Sequence, residues 1–201
     1  MKVLIKGAGD LASGIACRLH HCGMDVVMTE IGIPTTVRRT VAFSPAIYEG
    51  KAEVEGIDGV RCDSLEEMVI AVAERKIPVL EDPECQLAME WRPDVVVDAI
   101  IAKKNLGTTI RDAKIVIGVG PGFTAGADCH CVVETKRGHD LGRVLWKGSA
   151  VPNTGVPGMI GGYAKERIIR ASGDGIFKGM CRIGDLVEKG QLVGMAGENP
   201  I

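Results

Sequence analysis

At 201 residues with a formal net charge of −2, the chain has room for one large domain, or one domain with a small appendage, and no charge surplus of either sign. Aromatic residues make up 3% and no basic stripe interleaves with them, which argues against nucleic-acid binding. No apolar run reaches membrane-spanning length, and Met1-Lys2-Val3-Leu4 reads as the beginning of a strand, so the expected setting is the cytoplasm, with no membrane contact.

The first thirty residues carry the densest signal. The apolar run Val3-Leu4-Ile5 leads into Gly7-Ala8-Gly9-Asp10-Leu11-Ala12-Ser13-Gly14, a helical stretch ends near Cys22-Gly23, and Val26-Val27-Met28 closes on Thr29-Glu30. Strand, glycine turn, helix, strand and terminal acid form a mononucleotide-binding βαβ unit. Gly7 lets the chain turn sharply, and Gly9 lets a diphosphate approach the backbone. Asp10, Leu11 and Ala12 open a helix whose free N–H groups favour an anion. Glu30 lies where an acid accepts hydrogen bonds from a ribose. The same glycines would also serve tight helix–strand packing with no nucleotide at all.

Beyond Glu30 the elements follow in order. Arg38 and Arg39 are either solvated charges or reach a phosphate. Ser44-Pro45 opens a helix. Residues 52–57 and 60–62 read as a hairpin about Asp58-Gly59. Ser64-Leu65-Glu66-Glu67 is a capping box for a helix running to about Arg75. Ile77–Leu80 is a strand, and a helix follows from about Glu84 to Trp91. Asp94–Ile100 and Lys114–Gly120 are nearly unbroken apolar runs, suited to strands covered on both faces of a parallel sheet. The fold class expected is α/β: a Rossmann-like, open, mostly parallel sheet with helices on both faces. Ligands in such sheets sit beyond the carboxyl ends of the strands. Gly7–Ala12, Ala102–Thr108 and Gly118–Gly126 should therefore share one rim.

The texture changes near Gly155, giving a nucleotide-binding domain over 1–155 and a β-rich module over 156–201. Pro157–Gly162 is loop-like and Arg167–Arg170 reads as a strand. The run from Gly173 to Gly194 is similar to half of a biotinyl/lipoyl hammerhead, a barrel-sandwich hybrid, without a carrier lysine. The chain ends mid-motif, so the module is expected to be incomplete.

Three groups could add chemistry. Gly120, Gly122, Phe123 and Thr124 belong to a second glycine-rich loop that could cradle an anion, although it lacks a P-loop ending; a tight crossover is the plainer reading. Asp98, Lys103, Lys104 and Asn105 follow a strand end, where lysine can neutralise a phosphate or carboxylate and Asp98 can meet a ribose, a metal or a lysine. Asp128-Cys129-His130-Cys131 offers a candidate reactive thiol at Cys129. Neighbouring ligands of that spacing cannot close around zinc unaided, so no metal site is assigned. Seven cysteines, an odd number, argue against a disulfide framework.

Residues 7–14, 27–30, 37–41, 96–105, 120–130, 134–139 and Pro152-Asn153-Thr154-Gly155 together resemble the selenium-dependent molybdenum hydroxylase accessory proteins of the YqeB type, over nearly the whole chain. The resemblance implies a cytoplasmic role in maturing a molybdenum hydroxylase that carries labile selenium. The implied partners are that hydroxylase apoenzyme and a nucleotide-type molecule, either NAD(P) or molybdopterin dinucleotide; a homo-oligomer stays open. Cys129 would face the reactive end. The alternative is an NAD(P)-dependent oxidoreductase, which needs a proton donor. No Tyr-x-x-x-Lys occurs, and Tyr163 and Lys165 miss one-face helical spacing.

Overall fold

The computed structural model describes residues 1–155 and 158–201. It divides into two compact units, Met1–Asn153 and Thr154–Ile201.

The first unit is mixed α/β. Its elements are β1 (Lys2–Lys6), α1 (Asp10–His21), β2 (Asp25–Glu30), α2 (Ala46–Glu49), β3 (Lys51–Val54), β4 (Ile57–Cys62), α3 (Leu65–Ala73), β5 (Ile77–Glu81), α4 (Gln86–Glu90), β6 (Val95–Asp98), β7 (Ile115–Val119), β8 (Cys131–Val133) and β9 (Val144–Leu145). Nine strands form one sheet in the order β3-β4-β5-β2-β1-β6-β7-β8-β9. The β4-to-β8 pairings are parallel, and the β3–β4 and β8–β9 hairpins are antiparallel.

The apolar runs explain why both faces are covered. Successive strand residues point to opposite faces. Val3, Ile5, Val26, Met28, Val95 and Val97 enter one core cluster with Ala12, Ala16 and Cys17 of α1 and Ala46 and Ile47 of α2. Leu4, Val27, Leu80, Val96 and Val116 enter the other, with Met68 and Ala71 of α3 and Ala88 of α4. Each of these larger side chains contributes about 1.5–3 kcal/mol of burial.

Several boundaries differ from the sequence reading. The β3–β4 hairpin turns at Glu55-Gly56, with φ of 52° and 76°, and not at Asp58-Gly59. A two-residue turn of the primed type needs positive φ at both centres. Gly59 is used instead inside β4, where a Cβ would stand 2.4 Å from the Phe43 ring. The capping box is offset: Ser64 accepts from the Glu67 amide, but the Glu67 carboxylate accepts from Asp63 N at 2.8 Å, one residue before the cap. Residues 94–100 contribute only Val95–Asp98 to the sheet, because Ile101 and Lys103 turn the chain away at φ 58° and 62°.

The second unit holds a small antiparallel sheet, β10 (Phe177–Gly179), β11 (Gly194–Ala196) and β12 (Asn199–Pro200), with the Phe177 ring packed on Gly194. Arg167–Arg170 is not a strand. Lys165–Arg167 forms one 3-10 turn, and Ile168 and Ile169 stay exposed, paired with no strand among the described residues. Val156 and Pro157, where the expected module boundary and the loop at Pro157–Gly162 begin, lie outside the described residues. Among the described residues no helix is long and apolar enough to cross a membrane.

Candidate functional site

Strands β1, β2, β5, β6 and β7 run parallel, so the turns after them emerge at one end of the sheet. The chain leaves β1 at Gly7, whose φ is +91°; a Cβ there would stand 3.0–3.1 Å from the backbone of Ala99 and Ile100. Only glycine fits that turn. β2 continues from α1 on one side of β1 and β6 lies on the other, so a crevice opens between them.

That crevice is a cavity of about 440 Å³. Gly7, Gly9, Asp10 and Leu11 form one side, Glu30 and Ile31 the next, and Thr35–Arg38 and Ala99–Ile101 the rest. Its donors sit at the start of α1. Ser13 N takes the Gly9 carbonyl at 2.8 Å, beginning the helix, and Leu11 N donates to the Asp10 carboxylate at 3.0 Å. Among the described residues the amides of Gly9, Asp10 and Ala12 have no acceptor. Orphan N–H groups at a helix start attract an anion. Asp10 also pairs with Arg38, which draws the 35–38 segment across the crevice.

Glu30 is held by two amides: Oε2 accepts from Ala8 N at 3.0 Å and Oε1 from Ile31 N at 2.9 Å. Both oxygens keep lone pairs for a hydroxyl. Ala12 is fully buried against β1 and serves helix packing.

A second cavity of about 350 Å³ adjoins the first. It is lined by Lys6, Thr29, Cys85, Asp98 and Thr108 among others, and shares Gly7, Glu30, Ile31 and Ile100 with the crevice. Asp98 is buried, accepting from Thr108 Oγ1 at 2.6 Å and from Ile100 N at 3.3 Å. Asp112 accepts from Lys6 Nζ and from Thr109 Oγ1. Burial pushes the Asp112 carboxyl up, and the Thr109 hydroxyl and Lys6 outweigh it, so the net shift is downward.

The second glycine loop opens elsewhere. Gly122, Phe123 and Thr124 line a third cavity with Lys103, Ser149, Ala150 and Pro152, which shares no residue with the other two. Most of that loop's amides are already used: Gly120 N donates to Val133 O, Thr124 N to Asp128, Ala125 N to Gly148 O and Gly126 N to Cys129 O. Asn105 braces its own loop, accepting from Gly107 N and Thr108 N and donating to Thr108 O. The turns follow strands at one end of the sheet, but the two glycine segments line different cavities and do not meet around one space.

Cys129 is fully buried and lines none of these three cavities, and burial pushes its thiol up. The cysteine that lines one of these cavities is Cys85, which the sequence reading did not single out. Its only local signal is the Asp82-Pro83-Glu84-Cys85 turn after β5. There Asp82 caps α4 through Gln86 N and Ala88 N, and Cys85 sits at φ 56°. His130 is structural, its Nδ1 accepting from Val116 N at 3.0 Å. Among the described residues no group of three or more His, Cys, Asp or Glu could hold a metal.

The buried thiols give one prediction. Burial pushes Cys62 from 9.0 to about 11 and lifts Cys17, Cys85, Cys129 and Cys131 in the same direction. The unfolded chain releases these protons first, so this stability is complete below pH 9.0 and is lost as the pH rises toward about 11. Each such thiol adds a slope of about 1.4 kcal/mol per pH unit. Urea midpoints should be level up to the lower limit and fall above it; a flat profile would contradict the burial of these groups.

No family model matches the chain, and no solved structure does. Among curated proteins it is similar to "Uncharacterized protein YqeB" of Escherichia coli (strain K12), with 48% identity over 199 residues, 99% of this chain. The chain spans 37% of that relative's length. This similarity supports the YqeB family, whose named member carries no stated activity.

Proposed function

We propose that the chain binds a nucleotide-bearing cofactor, NAD(P) or molybdopterin dinucleotide, in a Rossmann-like crevice at the Gly7–Gly9 turn. We further propose that it acts as an accessory protein in maturing a selenium-dependent molybdenum hydroxylase. The amides of Gly9 and Asp10, which line the crevice, receive the diphosphate, and Glu30 accepts from a ribose hydroxyl. The maturation role rests on the motif resemblance.

One observation carries the binding reading. Gly9 has φ −69° and ψ −177°, a conformation open to any residue, and a Cβ added there meets nothing nearer than Thr36 Oγ1 at 3.7 Å. The empty fold does not need glycine at this position; a molecule lying against the backbone does.

Native mass spectrometry of freshly purified protein, with molybdenum and selenium analysis, tests the pair of claims. A dinucleotide carried through purification supports the site. A chain that arrives empty and binds neither NAD⁺, ADP-ribose nor molybdopterin dinucleotide overturns it. The accessory role predicts that a host lacking the protein makes the hydroxylase polypeptide in inactive form; unchanged hydroxylase activity overturns that role.

A further inference from the structure

The cavity beside the crevice has a chemistry of its own. Lys6 Nζ, at the carboxyl end of β1, donates to Thr108 Oγ1 at 2.9 Å and to Asp112 Oδ2 at 3.1 Å. An ammonium has three protons, and among the described residues two are used. Thr108 Oγ1 in turn donates a hydrogen bond to Asp98 Oδ2 at 2.6 Å, so the lysine is fixed in place at the cavity wall. Cys85 lines the same space, its Sγ 3.4 Å from Thr29 Oγ1. Of the seven cysteines, it alone lines any of the three cavities.

Charge decides what fits. Lys6 is answered by Asp112 and by the nearby Asp98, and Glu30 and Glu84 stand on the walls. The space holds no surplus positive charge, so a second phosphate or a carboxylate is repelled. Ile31, Pro83, Ile100 and Leu106 offer apolar walls. One ammonium donor, with apolar side chains on part of the wall and acids on the rest, suits a ring that bears a carbonyl group and no negative charge. Because Gly7, Glu30, Ile31 and Ile100 border both cavities, one molecule can occupy both.

We infer that this second compartment receives the carbonyl-bearing ring at the far end of the molecule whose diphosphate lies at Gly9. Lys6 Nζ donates to the carbonyl oxygen and Cys85 Sγ lies against the ring. The inference rests on the nucleotide reading above and adds the identity of the other end. Cys85 is then a contact residue, protonated at rest because burial pushes its thiol up.

Iodoacetamide labelling of the full chain, resolved by peptide mass spectrometry in mild alkali, tests this with two probes. NAD⁺ carries diphosphate, adenosine and a carboxamide ring; ADP-ribose lacks the ring. Cys22, which is exposed, serves as the internal control. NAD⁺ is expected to slow Cys85 labelling about tenfold, and ADP-ribose to bind while changing it less than about twofold. Lys6→Met should remove most of the NAD⁺ protection and leave ADP-ribose affinity unchanged. Cys85→Ser, close in size, should lose the label and keep ADP-ribose affinity, so the result does not hang on one variant. If both probes bind and protect equally, or neither protects, the inference fails while the diphosphate site stands. If neither probe binds, the inference fails, and the diphosphate site fails with it where molybdopterin dinucleotide does not bind either.

Discussion

Gly122→Ala is expected to destabilise the first unit by about 3 kcal/mol. At this position φ is +116°, and a Cβ would stand 2.7 Å from Lys104 N and Cα and 2.8 Å from Lys104 C. The obstacle is backbone, and it cannot step aside cheaply, because Asn105 ties the following turn through three hydrogen bonds. Gly126→Ala is the control. Its φ is +86°, but a Cβ there meets nothing within 4 Å. It should cost only the left-handed strain, about 1–2 kcal/mol. Urea denaturation of the two variants separates the terms. Equal losses would show that the two loops do not press together as described.

The second large effect separates binding from stability. Gly9 is the N-cap of α1, with no side chain to cap the helix. In Gly9→Thr, the hydroxyl can accept from the amide of Ala12, which has no acceptor among the described residues. Stability should stay within about 1 kcal/mol of the parent or rise slightly. Affinity for ADP-ribose or NAD⁺ should fall about 100-fold or more, because the added atoms fill the berth beside the Gly9 backbone. Calorimetric titration beside thermal melting reads both quantities. A variant that binds as well as the parent would remove Gly9 from the site, and one that unfolds would show that its glycine is structural.

The sequence made the central sheet legible because both of its faces are buried. Runs such as Val95-Val96-Val97 admit few other readings, and the β1-turn-α1-β2 unit carries its own punctuation. What stayed hidden depends on contacts distant in sequence. Asp58-Gly59 has the composition of a turn, but Phe43, sixteen residues earlier, claims Gly59 as the flat surface for its ring. Gly122 reads as an anion cradle and is needed for close approach to Lys104. The reactive-thiol candidate failed to reach a cavity for a similar reason. Cys129 stands in a chemically suggestive triplet, yet it is enclosed in the core away from the three cavities, while Cys85, also buried and with no motif around it, is set against a cavity wall by the Asp82 cap and a left-handed backbone. Strand periodicity reports which face a residue takes, not whether a cavity lies above it.

Amide NMR of the ¹⁵N-labelled chain titrated with ADP-ribose tests the central claim most directly. The diphosphate berth predicts that the largest shifts fall on Gly9, Asp10 and Leu11, with Glu30 and Ile31 next, and that Gly120–Thr124 stay still. Saturable shifts centred on Gly120–Thr124, with the start of α1 unmoved, would contradict it.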